Sequence, residues 1–143
     1  MPARFVFAHP IDVRFRDCDP RGHVNNAAYH TYLEESRLAL WRDLFGEGGL
    51  PGVGTILART EIDFLAPASA HDRIDVRVGI AHLGRSSIAM DYEIVRAGGG
   101  ARLASARAVI VTFDYAANRS MPVPPVVRAR LEALRDAPPV QAG

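Results

Sequence analysis

The chain has 143 residues, 48% of them hydrophobic and 23% charged, which is the balance of a folded globular protein and not of a disordered segment. Its formal net charge of +1 gives no field that would gather nucleic acid or an anionic membrane surface. No apolar run approaches the ~20 residues needed to span a bilayer, and the single cysteine, Cys18, excludes an internal disulfide and the usual zinc-cluster spacings.

In chain order, the opening MPARFVFAHPIDVRF lacks the long apolar core and small-residue cleavage site of a signal peptide, so a cytoplasmic location is expected. Ile11, Val13 and Phe15 alternate with Asp12, Arg14 and Arg16, which predicts a half-buried strand over 11–16. Residues 17–25, DCDPRGHVN, are rich in Asp, Pro, Gly and Asn, types that favour turns and caps over regular structure. A helical pattern follows over 26–45. Tyr29, Leu33, Ser36, Leu40 and Leu44 form one apolar stripe, and Leu38, Trp41 and Phe45 form a second. Glu34, Glu35, Arg42 and Asp43 do not fill a whole face, so much of this ~30 Å helix is expected to be buried. Asn25 or Asn26 fits the N-cap, and Gly46, Gly48 and Gly49 supply the stop.

Residues 55–65, 73–82, 87–96 and 102–115 are rich in Ile, Val, Thr and Phe and alternate well, which predicts four strands. Short breaks at 67–72, 84–85 and 98–100 carry turn chemistry, and short connections make neighbours antiparallel. Pro122, Pro124 and Pro125 end the strands, residues 126–135 fit a short amphipathic helix, and 137–143 are expected to fray. No internal repeat or interdomain linker is visible, so one domain over 1–143 is expected. The predicted class is α+β, with an antiparallel sheet of about five strands wrapped around one long central helix. Its open edge strand calls for cover, which predicts a homodimer.

All 17 basic residues are arginine. Without lysine, Schiff-base and lysine general-base chemistry are unavailable, and an anion must be held by guanidinium or backbone N–H groups. The polar turn that feeds the helix is the place for chemistry, because free backbone N–H groups point out of a helix N-terminus.

The stretch DCDPRGHVNNAAYHTYLEESR resembles the signature of the hotdog-fold acyl-CoA thioesterases of the 4-hydroxybenzoyl-CoA thioesterase-like family. That signature reads Asp-x-Asp-x-x-Gly-His-Val-Asn-Asn-Ala-x-Tyr, with Glu and Arg on the helix beyond. It is met here at Asp17, Asp19, Gly22, His23, Val24, Asn25, Asn26, Ala27, Tyr29 and Arg37. IDFLAP at 62–67, LGRSS at 83–87 and FDY at 113–115 fall where the family has similar segments, so the likeness runs from about Ile11 to Leu134.

The resemblance implies hydrolysis of an acyl-CoA to a carboxylic acid and coenzyme A. Such a reaction needs a group that attacks the carbonyl or activates water, and a donor for the carbonyl oxygen. It carries the catalytic carboxylate onto Asp19, as nucleophile or general base, and the oxyanion donor onto the backbone N–H of Asn26. His23 is a candidate to orient Asp19 or couple to its proton. Asn25 and Tyr29 are expected on the substrate side, and Arg85, Ser86 and Ser87 form a turn-borne set for the coenzyme A phosphates.

Read from the residues alone, Asp19 also suits an Asx-turn before Pro20, and Asp17 suits a turn cap or an arginine partner. Asp17, Glu34 and Glu35 are the reserve carboxylates. Cys18, flanked by two acids, is a poor nucleophile. No metal and no separate cofactor are expected. Assembly as a homodimer or homotetramer follows the family. The alternatives are a non-catalytic hotdog protein that binds acyl-CoA or an acyl carrier and, ranked lower, a hotdog dehydratase or hydratase.

Overall fold

The computed structural model describes residues 3–140. In chain order it forms β1 (Phe7–Asp12), a single 3-10 turn (Phe15–Asp17), α1 (Asn26–Phe45), β2 (Gly54–Phe64), β3 (Arg73–Leu83), β4 (Ser87–Arg96), β5 (Arg102–Asp114), β6 (Arg119–Ser120) and α2 (Pro125–Arg135). All pairings are antiparallel in the order β1-β3-β4-β5-β2, and the two-residue β6 adds to β5 as a sixth strand. Among the described residues, no helix is long and apolar enough to cross a membrane.

The inner face of the sheet is set by period-2 alternation. Ile74, Val76 and Val78 of β3, Ile88, Met90 and Ile94 of β4 and Ile110 of β5 are buried and share one cluster with Leu33, Leu40 and Trp41 of α1. Fully burying each of these side chains is worth roughly 1.5–3 kcal/mol, so this cluster dominates the stability. Val127 and Leu131 of α2 complete it.

Two expectations need correction. The first strand lies over Phe7–Asp12 and not over 11–16. Ile11 and Val13 are buried as the alternation requires, but Asp17 accepts from the Arg14 backbone N–H and closes a tight turn, leaving Phe15 80% exposed. Pro10 is tolerated inside β1 because an edge strand leaves one row of N–H positions unpaired. The second correction concerns α1, of which only one face is buried: Tyr29, Tyr32, Leu33, Ser36, Arg37, Leu40 and Trp41. Leu38 of the expected second stripe is 48% exposed, because the sheet reaches only one side of the helix.

β2 forms the other edge and carries Ile56, Leu57 and Phe64 as large exposed apolar side chains, continued by Leu65. Near the chain ends, the Val140 N–H donates to the Phe5 carbonyl at 2.8 Å and the Arg4 Nε–H to the Ala137 carbonyl at 3.1 Å. Much of the tail expected to fray is therefore fastened, and 141–143 lie outside the described residues. This N-terminal segment crosses β3 so closely that a Cβ on Gly79 would overlap the Arg4 carbonyl.

Candidate active site

The site is built where the turn 17–25 meets the start of α1. Asn25 is the N-cap: its Oδ1 accepts from the Ala27 N–H at 2.8 Å and its carbonyl from the Ala28 N–H at 2.9 Å. Asn26 is the first helical residue, and among the described residues no group accepts from its backbone N–H. The helix end thus presents one free donor with the positive end of the helix dipole behind it. The Asn25 side chain is spent on capping, while Asn26 is exposed.

Asp19 closes its own turn. Its Oδ1 accepts from the Arg21 N–H at 2.9 Å and its Oδ2 from the Arg21 guanidinium at 2.8 Å. The Asp19 N–H donates to the His23 carbonyl at 2.8 Å, and the Gly22 N–H returns to the Asp19 carbonyl at 2.9 Å. Gly22 sits at φ 82°, a left-handed conformation that suits glycine. The Arg21 guanidinium, helped by backbone N–H groups, holds the Asp19 carboxyl below its ordinary range against the opposing effect of burial, so it is ionised at neutral pH. The Asx-turn thus holds a half-buried carboxylate, its side chain 18% exposed, already paired with Arg21. The His23 link to Asp19 is its backbone N–H, 3.4 Å from Oδ1, and the residue is exposed.

Asp17 is placed differently. It is 8% exposed, accepts from the Tyr32 hydroxyl at 2.8 Å on Oδ2, and accepts from the Arg14 guanidinium at 3.1 Å on Oδ1. Burial pushes its carboxyl up, but the Tyr32 and Arg14 hydrogen bonds outweigh that and hold it low. Burial and the neighbouring Asp17 push the Tyr32 hydroxyl far up, so Tyr32 is a constant donor. Cys18 lies between, its Sγ 3.8 Å from the Arg14 carbonyl, and burial followed by the charges of Asp17 and Asp19 pushes its thiol up.

Beside the helix start opens a cleft of about 270 Å³ walled by Arg21, His23, Asn26, Tyr29, Phe64 and Leu65. Tyr29 is buried and meets the Phe64 ring edge-on at 5.3 Å. The polar turn therefore stands over an apolar floor supplied by α1 and the end of β2. Asp19 does not itself wall the cleft; its ion-pair partner Arg21, with a side chain 80% exposed, does.

The remaining candidates are not gathered there. Glu34 is exposed and lines a separate cleft of about 110 Å³ between α1 and β2. Glu35 faces the other edge, 3.7 Å from His9 Nε2. Arg85, Ser86 and Ser87 lie past the far end of the eleven-residue β3, ~35 Å along the strand from the Asp72 end that abuts the turn. Their turn is fixed by the Gly84 N–H to the Ser87 carbonyl at 2.9 Å and by the Val123 N–H to the Arg85 carbonyl at 2.8 Å.

Sequence reasoning missed Arg21 and Tyr32, and named Arg37 only as a position of the family signature. The first was recoverable, since a residue two beyond an Asp in a turn is the usual Asx partner. The bonds of Tyr32 to Asp17 and of the buried Arg37, whose Nη1–H donates to the Tyr92 hydroxyl at 3.0 Å, join distant residues and carry no local sign.

Residues 13–131 match the sequence model of the thioesterase-like superfamily. In structure the chain is similar to a thioesterase of Thermus thermophilus solved with coenzyme A and zinc. The TM-score is 0.82 at 34% identity, covering 94% of this chain and 97% of that one. A putative thioesterase of Pseudomonas aeruginosa is similar at TM-score 0.79 and 29% identity, over 88% of this chain and 98% of that one. The uncharacterized protein YsmA of Bacillus subtilis strain 168 is 27% identical over 88 residues, which is 62% of this chain and 60% of that relative's length.

Proposed function

The chain belongs to the thioesterase-like superfamily and has its hotdog fold, and we propose that it hydrolyses an acyl-CoA to a free carboxylic acid and coenzyme A. The observation that carries this reading is the unsatisfied helix-start amide of Asn26 on the wall of a cleft with an apolar floor, where Arg21 of the same wall holds the ionised Asp19 carboxylate. In this reading the thioester carbonyl oxygen accepts from the Asn26 N–H, and the acyl chain lies against Tyr29, Phe64 and Leu65. The coenzyme A complex of the Thermus relative supports coenzyme A as the carrier here.

Arg21 swings off Asp19 as substrate enters. Asp19 then acts as general base or as nucleophile. As a base it takes a proton from water while the water oxygen bonds to the carbonyl carbon. As a nucleophile it forms an acyl-aspartyl anhydride that water then opens. Either route places negative charge on the carbonyl oxygen, where the free amide and the helix dipole meet it. The charge returns, the carbon–sulfur bond breaks, and the thiolate leaves. A thiolate departs without a strong general acid, which suits a site where His23 is only loosely held. His23 and Asn26 side chains at the rim orient the substrate.

The chain also acts as a homodimer in this reading. The long unpaired edge of β2, with exposed Ile56, Leu57 and Phe64, is covered by a second copy. In this reading the same copy brings Arg85, Ser86 and Ser87 toward the coenzyme A phosphates.

Purified protein offered a panel of aliphatic and aromatic acyl-CoAs with a thiol-reactive dye tests the activity directly. Release of coenzyme A from at least one substrate is expected. Binding of acyl-CoA without release from any of them would make this a non-catalytic binding protein.

A further inference from the structure

We propose that Tyr32, acting through the Asp17 carboxylate, is a positioning residue that holds Asp19 in register with the Asn26 amide; this rests on the hydrolytic reading above. Asp17 is tied to α1 at two separate points. Its main-chain carbonyl accepts from the Asn25 N–H at 2.8 Å, and its side chain accepts from the Tyr32 hydroxyl at 2.8 Å. Asn25 immediately precedes the oxyanion donor of that reading, and Asp17 precedes the reactive carboxylate by two residues. Whatever fixes Asp17 therefore fixes both reacting groups relative to one another.

One attachment would let the segment pivot. A second from a different turn of the same rigid helix removes that freedom. Tyr32 suits the task because a helical side chain of this length points back toward the helix N-terminus. Its ring is locked, at 2% exposure, with the Tyr29 ring edge-on at 5.9 Å. Arg14 holds the opposite oxygen of Asp17 at 3.1 Å from the surface side. Because Asp17 is kept ionised, both bonds are charge-assisted and correspondingly strong. Asp17 is thereby engaged on both oxygens and is not free to serve as the reserve catalyst.

A reacting geometry misplaced by about 1 Å costs on the order of 100-fold in rate, so loosening this anchor should be read in turnover. Tyr32→Phe keeps the ring and removes only the hydroxyl. With the best acyl-CoA of the panel, kcat should fall ~10- to 100-fold while KM stays within about twofold. Ser36→Ala is the control: it deletes another buried bond on the same helix, Ser36 Oγ–H to the Tyr32 carbonyl at 2.7 Å, without touching Asp17. It should lower the melting temperature and leave kcat unchanged.

A folded Tyr32→Phe protein with parental kcat overturns the positioning role, as does an equal kcat loss in Ser36→Ala. Should Tyr32→Phe not fold, Arg14→Met decides, because its side chain is 61% exposed and its removal spares the core. A several-fold loss of kcat at constant KM supports the role, and parental kcat overturns it. A parent that releases coenzyme A from no substrate overturns the hydrolytic reading itself, and this inference with it.

Discussion

Asp19→Asn separates the fold of the turn from its chemistry. Three of the bonds that shape this turn survive the substitution. The amide oxygen of asparagine still accepts from the Arg21 N–H, and the two backbone bonds, Asp19 N–H to the His23 carbonyl and Gly22 N–H to the Asp19 carbonyl, do not involve the side chain. What is lost is the ion pair with the Arg21 guanidinium, whose side chain is 80% exposed, and exposed pairs of this kind add little to stability. The melting temperature and the oligomeric state should therefore match the parent. Turnover should not. Removing a positioned base or nucleophile costs ~10²–10⁴ in rate, while the Asn26 amide remains to hold the carbonyl oxygen. A continuous assay of coenzyme A release, run beside circular dichroism and light scattering, reads both halves. Parental turnover by a folded Asp19→Asn protein would remove Asp19 from the mechanism, and a collapsed fold would show that the turn depends on charge and not on the Asx bond.

Arg21→Ala should move the acid limb of kcat/KM to higher pH. The arginine is the main cause of the lowered Asp19 carboxyl, so without it the group titrates closer to its ordinary value of about 3.9, and the active ionised form is lost sooner as pH falls. A limb that stays put or moves down, followed from about pH 3 to pH 7, would contradict this account of Arg21. Asn25→Ala removes the Oδ1 that accepts from the Ala27 N–H and should destabilise the protein by ~1 kcal/mol in urea unfolding; an unchanged midpoint would deny Asn25 the cap. Gly79→Ala forces the Arg4 carbonyl off β3 and should cost ~1–3 kcal/mol. Faster limited proteolysis before β1 would report the detachment, and unaltered cleavage would place the crossing elsewhere.

How much of this could be read in the sequence follows from how local each determinant is. The boundaries of α1 agree with the expected 26–45 because its signals are adjacent: Asn25 caps, Gly46 stops, and both act within one turn. The strands from β2 to β5 agree within a residue or two, since strong alternation coincides with breaks marked by Pro67 and Asp72 before β3 and by glycine before β4 and β5. The first strand slipped because Ile11, Val13 and Phe15 alternate like a strand, while the Arg14–Asp17 contact that bends the chain competes with that pattern. Leu38 looked like core for want of the knowledge that the sheet covers one side of α1. Asp19 and Asn26 were singled out by a contiguous motif. The Asp17–Tyr32 and Arg37–Tyr92 bonds span 15 and 55 residues, and nothing in a single sequence marks such partners. The separation of Arg85, Ser86 and Ser87 from the turn is likewise a property of strand length and direction, fixed only once β3 is laid down.

Cys18 has a practical consequence. It is the chain's single thiol, set between Asp17 and Asp19, and its environment disfavours the thiolate. A disulfide dye reacts with thiolates, so the raised thiol slows the protein's own contribution to the colour, and a substrate-free control subtracts what remains. The Cys18 Sγ lies 3.8 Å from the Arg14 carbonyl in the loop that also carries Asp19, so its alkylation rate with and without acyl-CoA reads whether a bound ligand shields that loop.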